Sequence, residues 1–448
     1  MSVATSADLK NLGGIVGFTD VDAPEPELLK ACVHCGMCLS SCPTYRITGQ
    51  EMSSPRGRLW LMSAVSQGRL SVDDELFQEQ MYQCLNCRAC EAVCPSGVQY
   101  GPLVEAARFQ IEQRLQRPAK QRIARKVMLD WTFSDMRKMG AVARMTGLYQ
   151  KTGLQKVARK SGALKLLGLS EIEKMAPATH GKPLKPGKEQ WSASEPERAA
   201  SLFNGCIMGT AFGDTNRAAC RVMARNGSNV DIPTCQGCCG ALQVHSGMFD
   251  TAREMARANI DAFAAEADRP IVVTAAGCGS TLKEYGHLLK DDPDYADRAH
   301  DFAHRVKDFS EFVAAENRQT PGPIRRKVTY QDACHLAHAQ RITAQPRTLL
   351  KSIPELDLVE MRESSLCCGS AGIYNILRPE MARKLGERKV GYIIETGATE
   401  VVTANPGCAI QIATLLREAG SDIRVTHIAD FMDEAYANSF ETSGTPSS

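Results

Sequence analysis

The sequence lacks the marks of a membrane-spanning or secreted protein. No apolar run reaches about 18 residues, which excludes a spanning helix, and the first twenty residues have no basic start followed by an apolar core. It has no Gly-x-Gly-x-x-Gly fingerprint or phosphate-binding loop, and no nucleophile–base pair or pair of carboxylates stands out. We therefore expect a cytoplasmic chain without its own substrate chemistry and with no catalytic residue to assign.

The bulk composition is that of an ordinary soluble protein with an uneven charge. The 448 residues are 43% hydrophobic and 23% charged, enough for two or three domains. The net charge of +2 favours neither nucleic acid nor an acidic partner, and no nucleic-acid partner is expected. Residues 101–190, however, hold 19 Lys and Arg against 7 Asp and Glu. The basic, partly amphipathic helices predicted over residues 102–175 are either a solvated connector or a surface for anionic lipid or an acidic subunit.

Two cysteine runs with identical spacing lie near the start of the chain. Each reads Cys-x2-Cys-x2-Cys-x3-Cys-Pro, the spacing that holds [4Fe–4S] clusters in two-cluster ferredoxins, where the fourth Cys ligates the other cluster. We therefore expect two [4Fe–4S] clusters. One would be held by Cys32, Cys35, Cys38 and Cys94, and the other by Cys84, Cys87, Cys90 and Cys42.

Zinc and disulfides explain these runs less well. Structural zinc takes two separated pairs of ligands around a tetrahedron and has no use for a third Cys at the same pitch. Disulfides need an oxidising compartment, which nothing in the sequence supports. Pro43 and Pro95 fix the backbone just after each fourth Cys and turn the chain away from the ligand loop.

The pattern of apolar residues predicts an α+β protein of several domains. Helical periodicity over Arg56–Gln67 and Asp73–Tyr82 indicates an α-helical ferredoxin module at residues 20–115. A basic helical connector and a Pro- and Gly-rich linker, Ala176 to Ala200, fill residues 116–198. Alternating short strands and helices then predict parallel sheets in two α/β modules, residues 199–320 and 321–440.

These two modules are a sequence repeat built around a second set of cysteines. Four coincident offsets of 128 to 130 residues relate the two sets, which indicates a duplication. Four thiolates per module suit one iron–sulfur cluster or one zinc ion, or are structural residues without metal. The first set is Cys206, Cys238, Cys239 and Cys278, and the second is Cys334, Cys367, Cys368 and Cys408.

Three further residues are weaker candidates near these cysteines. Cys235 is a stand-in ligand or a small buried residue, and His34 and His335 either tune a cluster through a hydrogen bond or are ordinary packed imidazoles. The second cysteine set resembles the "CCG" modules of the heterodisulfide reductase B/D type. Thr281 and Gln411 stand where that family has a fifth Cys, so disulfide reduction is not implied here.

Taken whole, residues 28–437 resemble the iron–sulfur subunits of glycolate oxidase (glycolate dehydrogenase). The resemblance implies an electron-transfer subunit without flavin. A flavin-containing partner would oxidise glycolate to glyoxylate, and a quinone-type acceptor would place the chain at the cytoplasmic face of the inner membrane. The alternatives are a subunit of a related lactate or glycerol-3-phosphate dehydrogenase, a disulfide reductase, or a zinc-bound scaffold. The stretches that carry the resemblance are ACVHCGMCLSSCPTY, SSPRGRLWLM, CLNCRACEAVCPSGVQY, TAAGCGSTLKEYGHLLKDD, DACHLAHAQR, LCCGSAGIYNI and VTANPGC.

Overall fold

The computed structural model describes residues 16–162, 164, 173, 174, 176, 182–315 and 318–442. The sequence also predicts a flexible lead over residues 1–30, a helix at Leu164–Lys174 and a disordered tail at Glu441–Ser448. Residues 1–15 of the lead, most of this helix and residues 443–448 of the tail lie outside the described residues.

The ferredoxin module is helical, as expected. Ser54 caps helix α3, where its side chain accepts a hydrogen bond from Gly57 N, and Asp74 caps helix α4 in the same way through Phe77 N. The two helices bury Met62 and Phe77 in a common core. The helices of this module are α1 (Pro26–Lys30), α2 (Pro43–Thr48), α3 (Pro55–Ser66), α4 (Glu75–Gln83), α5 (Ala89–Ala92) and α6 (Tyr100–Glu112), with a 3-10 turn at Glu51–Ser53.

The basic connector is also helical. It contains α7 (Ala119–Arg125), a π-helical turn at Lys126–Thr132, α8 (Met136–Lys151) and α9 (Leu154–Lys160). The prediction that Ala176 to Ala200 is a plain linker is wrong at its C-terminal end. Leu184 is buried in the core, Trp191 bridges Val230 at the edge of a sheet, and the first strand already begins at Arg198.

The first α/β module forms a four-stranded parallel sheet with the order β2-β1-β3-β4. Every strand but the fourth follows the predicted alternation. Its elements are β1 (Arg198–Phe203), α10 (Cys206–Thr210), α11 (Gly213–Arg225), β2 (Ser228–Asp231), α12 (Ala241–His245), α13 (Phe249–Ala262), β3 (Ile271–Val273), α14 (Ala276–Lys283), α15 (Tyr285–Leu288), α16 (Ala296–Arg305), β4 (Val306–Asp308) and α17 (Phe309–Ala314).

The second module repeats this topology with the order β6-β5-β7-β8, again all parallel. The α+β architecture and the two repeated parallel sheets are therefore confirmed. Its elements are β5 (Lys327–Gln331), a π-helical turn at His335–Ala339, α18 (Ala344–Lys351), β6 (Asp357–Val359), α19 (Tyr374–Leu377), α20 (Pro379–Glu395), β7 (Glu400–Thr403), α21 (Pro406–Glu418), β8 (Arg424–His427) and α22 (Ile428–Thr442).

The two α/β modules share one hydrophobic core. Val230 and Val272 of the first sheet belong to the same buried cluster as Val328 and Val401 of the second. Burial of this kind is worth about 25 cal/mol for every Å² of apolar surface removed from water. The shared core therefore fixes the two cysteine sets relative to each other.

Candidate metal centres

The first cysteine run lines a cavity at the surface of the ferredoxin module. Its empty volume is about 420 Å³, part of it open to solvent, and the thiol of Cys35 is exposed at its mouth. Cys94 reaches this cavity from the second run. The cysteines on its wall are Cys32, Cys35, Cys38, Cys90 and Cys94.

A second cavity, of about 300 Å³, lies deeper in the same module. Its cysteines are all buried. Cys42 enters it from the first run, so the two fourth cysteines cross over between the cavities. The cysteines on its wall are Cys42, Cys84, Cys87 and Cys90.

The loops around both cavities are curled by residues with positive φ at matching positions. His34 and Asn86 stand two residues after the first Cys of each run, with φ of 55° and 51°. Gly36 and Arg88 each follow the second Cys, with φ of 86° and 61°. A left-handed residue between two cysteines reverses the local chain direction. The repeated turn lets successive thiols line one cavity.

The thiols of the deeper cavity are a poor fit to an empty site and a good fit to a cluster. Burial raises the pKa of both Cys87 and Cys90 well above the ordinary value, and neighbouring thiols add to the shift. The thiols of Cys87 and Cys90 therefore face this cavity from a buried position that a metal-free site does not explain. A [4Fe–4S] cluster takes four thiolates, so the donor set suits it.

A buried cation lies beside the deeper cavity. The Arg58 guanidinium donates from Nε to the carbonyl oxygen of Gln80 at 2.7 Å and from Nη1 to Thr44 Oγ1 at 3.2 Å. Burial acts to lower its pKa, but Tyr100 and the thiols of Cys84 and Cys42 outweigh this and raise the pKa overall. Arg58 therefore stays charged among the ligands. No pattern in the sequence pointed to this role, although Arg58 lies in the stretch SSPRGRLWLM.

In each α/β module the four cysteines of the second set come together. The thiols touch in sequence, Cys206 to Cys238 to Cys239 to Cys278 in the first module. In the second module Cys334 Sγ lies 3.9 Å from Cys367 Sγ, and the contacts continue through Cys368 to Cys408. Each set lies just beyond the carboxyl ends of its strands, where open α/β sheets place their sites.

One thiol in each set is stabilised as a thiolate by its neighbours. Hydrogen bonds from Cys206 and Cys239 hold the pKa of Cys238 well below its ordinary value. Cys367 and Cys408 act in the same way on the pKa of Cys368. Thiolates are the form that binds metal.

At the two positions where the related family has a fifth cysteine, this chain has residues that are hydrogen-bonded elsewhere. Thr281 Oγ1 donates to the carbonyl oxygen of Gly277 at 3.3 Å, and Gln411 Oε1 accepts from Asn375 Nδ2 at 3.0 Å. Cys235 is exposed, and Cys220 is buried in the apolar core. Among the described residues, no three Cys, His, Asp or Glu side chains are gathered in a way that suits a single metal ion.

The second α/β module brings its cysteines next to the deeper ferredoxin cavity. Cys87 and Cys367 belong to one buried cluster with Leu85 and Tyr374. The thiol of Cys334 also contributes to the raised pKa of Cys87. The two sites are therefore neighbours in space, although about 250 residues separate them in the chain.

Four polar residues from three modules meet between these sites. His335 Nε2 donates to the carbonyl oxygen of Asn86 at 2.9 Å, and His245 Nδ1 lies 2.8 Å from Glu105 Oε1. Burial lowers the pKa of His335 to about 3, so its ring is neutral. His335 therefore contacts the ferredoxin loop, while His34 uses only its main-chain oxygen, which accepts from Arg56 at 3.0 Å. Nothing in the sequence pointed to Glu105 or His245.

Comparison with known proteins identifies the family. Residues 28–98 match the "4Fe-4S dicluster domain", residues 200–283 and 328–413 the "Cysteine-rich domain", and residues 120–176 the "Glycolate oxidase iron-sulfur subunit, linker region". The "Probable glycolate oxidase iron-sulfur subunit" of Bacillus subtilis is 41% identical over 92% of this chain and 94% of its own length. The chain belongs to the glycolate oxidase iron–sulfur subunit family.

Two further proteins are similar to this chain at lower identity. The "Glycolate oxidase iron-sulfur subunit" of Escherichia coli is 34% identical over 91% of this chain and 94% of its own length. "Lactate utilization protein A" of Oceanobacillus iheyensis is 30% identical, but over only 52% of this chain and 96% of its own length. The lactate alternative is therefore supported only weakly. Within the described residues, no helix is both long and apolar enough to cross a membrane.

Proposed function

We propose that this chain is the electron-transfer subunit of a glycolate-oxidising complex. A flavin-containing partner would oxidise glycolate to glyoxylate, and this chain would carry the electrons toward a quinone-type acceptor at the cytoplasmic face of the membrane. The observation that supports this most is the row of cysteine sites, from the exposed cavity at Cys35 through the buried cavity at Cys87 to Cys334. The 41% identity to a glycolate oxidase subunit supports the substrate.

The lining of the two cavities supports the ligand sets expected from the sequence. We assign one [4Fe–4S] cluster to Cys32, Cys35, Cys38 and Cys94 and the other to Cys84, Cys87, Cys90 and Cys42. When bound, such clusters take up and release single electrons. The chain's own contribution is to bury the second set, to place Arg58 beside it, and to leave the first set open to a partner.

We further assign an iron–sulfur cluster to the second-module set, Cys334, Cys367, Cys368 and Cys408. Its contact with the deeper ferredoxin cavity supports a redox group there, since a zinc ion has no redox chemistry and gains nothing from that proximity. The first-module set, Cys206, Cys238, Cys239 and Cys278, has the same local arrangement and is assigned in the same way. Zinc is the alternative that the sequence leaves open in both modules, although within the described residues no three possible ligands are placed for a single metal ion. The domain limits that we propose with these assignments are 20–115, 116–198, 199–320 and 321–440.

Metal analysis of the anaerobically purified full chain tests these assignments. We expect about sixteen iron atoms per chain, four for each of the four assigned clusters, with matching sulfide, no zinc, and electron paramagnetic resonance signals after dithionite. About twelve iron atoms would leave one α/β module without its assigned cluster. About eight iron atoms together with zinc would agree with the two ferredoxin clusters but would overturn the assignment of iron to the α/β modules. Fewer than about eight would overturn the ferredoxin assignment itself.

The substrate is tested in the assembled complex with its flavin-containing partner. We expect glycolate to reduce a soluble dye through the complex, and the Cys84→Ser variant to block dye reduction at an acceptor beyond the clusters while leaving glycolate binding unchanged. Faster turnover of lactate or glycerol 3-phosphate than of glycolate would replace the proposed substrate. Full dye reduction by Cys84→Ser would contradict the electron path.

A further inference from the structure

The basic connector exposes an unusual number of large apolar side chains. Eight of them, between 41% and 72% exposed, lie within residues 119–160. We name them the apolar–basic face. They are Ile123, Val127, Trp131, Val142, Met145, Leu148, Leu154 and Val157.

One helix of the face, α8, already has a side that packs on the protein. On α8, Met139 and Gly147 are buried, and Met139 joins the core of the first α/β module. Met145 and Leu148 lie on the same helix, are 72% and 65% exposed, and follow one another at helical spacing. The exposed residues therefore form a second apolar side on α8, in addition to the side that packs on the protein.

The same segment carries a strong excess of positive charge. Residues 119–160 contain eleven Lys and Arg and two Asp. Arg125, Lys138 and Arg159 have acidic partners at 2.8 to 3.7 Å. The other cations have no acidic partner among the described residues. They are Lys120, Arg122, Lys126, Arg137, Arg144, Lys151, Lys156 and Lys160.

We propose that the apolar–basic face binds the surface of an anionic lipid bilayer. Helices that combine Lys and Arg with Trp and Leu lie in the interface of a membrane, with the apolar residues in the headgroup region and the cations on anionic lipid. Trp131 fits this position, because aromatic residues favour the headgroup level, and Lys138 lies 4.8 Å from the centre of its ring.

Charge favours lipid over a protein partner as the occupant. A bilayer with anionic lipids offers a continuous negative surface that can match eight unpaired cations spread over three helices. Other exposed apolar residues, such as Val33 and Met37 beside the first cavity, have no comparable excess of charge around them. Lipid binding deepens the proposed delivery of electrons to a membrane acceptor, and in that sense rests on the proposed function, but it needs no redox activity of its own.

Vesicle flotation of the anaerobically purified full chain tests the proposal. The probes are vesicles of phosphatidylcholine alone and of phosphatidylcholine with phosphatidylglycerol. We expect affinity at least about tenfold higher for the anionic vesicles, lost when the salt concentration is raised to about 1 M. The triple variant Met145→Ser, Leu148→Ser and Leu154→Ser should bind at least about tenfold more weakly, because it removes three apolar anchors.

Matched variants on other modules serve as controls. Val21→Ser, Leu377→Ser and Ile394→Ser change three other exposed apolar residues, between 45% and 64% exposed, and should leave vesicle binding unchanged. For charge, Lys151→Glu with Lys156→Glu should abolish binding, while Lys351→Glu with Lys384→Glu, which are also exposed, should not. Unchanged circular dichroism and cluster absorbance show that each variant is folded.

Absence of binding to anionic vesicles, or binding that the Met145, Leu148 and Leu154 changes do not weaken, would overturn the proposal. If those changes instead prevent assembly with the flavin-containing partner while vesicles never bind, the face is a protein interface and lipid binding is excluded. Failure of the proposed function is seen separately, as a complex that floats with vesicles but does not reduce a soluble dye with glycolate.

Discussion

Neutralising Arg58 should lower the reduction potential of the deeper ferredoxin centre. The Arg58→Met variant keeps an unbranched apolar chain in place of the Arg stem and removes the charged guanidinium. Because the guanidinium is fully buried, water screens it little. A reduced cluster carries one more negative charge than an oxidised one, so loss of the cation disfavours reduction.

The structure sets the size of this effect. The guanidinium lies 3.2 Å from Thr44 Oγ1, which lies 3.3 Å from Cys42 Sγ. At a separation of about 6 Å and an effective dielectric constant of about 20, one unit charge shifts the energy of another by roughly 3 kcal/mol. One electron at about 1.4 kcal/mol per 59 mV then gives a potential roughly 120 mV lower.

Anaerobic redox titration followed by electron paramagnetic resonance measures this shift. Arg58→Lys, which keeps the charge, should titrate close to the unchanged protein. Arg56→Met, beside the first cavity, should move its centre much less, because Arg56 is already paired with Glu51 at 2.6 Å and lies near solvent. Potentials for Arg58→Met and the unchanged protein that agree within about 20 mV would refute the reasoning about buried charge.

Three further changes have defined outcomes. Cys84→Ser should lose about four iron atoms per chain and Cys235→Ser none; equal iron in both by metal analysis would contradict the ligand set. Burial raises the pKa of Asp308 to about 6, above the value of about 3.9 in the unfolded chain. Protonation of Asp308 therefore stabilises the folded protein fully below a pH of about 3.9, and this stabilisation is lost as the pH rises through about 6. Asp308→Asn should therefore flatten the dependence of the urea midpoint on pH between about 4 and 6, and an unchanged slope would contradict this assignment. Arg378→Ala breaks a partly exposed pair with Glu79 and should cost at most about 1 kcal/mol of unfolding free energy; a larger loss would show that this contact holds the modules together.

The sequence predicted what depends on local spacing. The predicted alternation of short strands and helices is seen, for example, in strands Lys327–Gln331 and Glu400–Thr403 and in helix Pro379–Glu395 between them. The two strands are short, buried apolar runs and the helix is long and amphipathic, so the spacing of their apolar residues indicates the type of element. The grouping of each cysteine set likewise followed from the duplication.

The remaining features depend on packing between segments that are far apart. Strand Val306–Asp308 has three residues and contains Lys307, so it carries no periodic signal. The approach of Cys334 to Cys87 requires the second α/β module to dock on the ferredoxin module, where Tyr374 donates to the carbonyl oxygen of Gln83 at 2.9 Å. Contacts between distant segments produce no regular spacing of residues, so the sequence alone does not predict them.

The residues at the missing fifth positions argue for electron transfer over disulfide reduction. A centre that reduces a disulfide needs an iron atom that a substrate sulfur can reach, whereas a cube with one thiolate on each iron is saturated. Each α/β module supplies four contacting thiols, while Thr281 is bonded to its own helix and Gln411 to Asn375. With neither residue offering a fifth sulfur, the four thiols of each module suit the electron carrier that we propose. The second-module set lies beside Cys87, which belongs to the cluster that we propose as its electron donor.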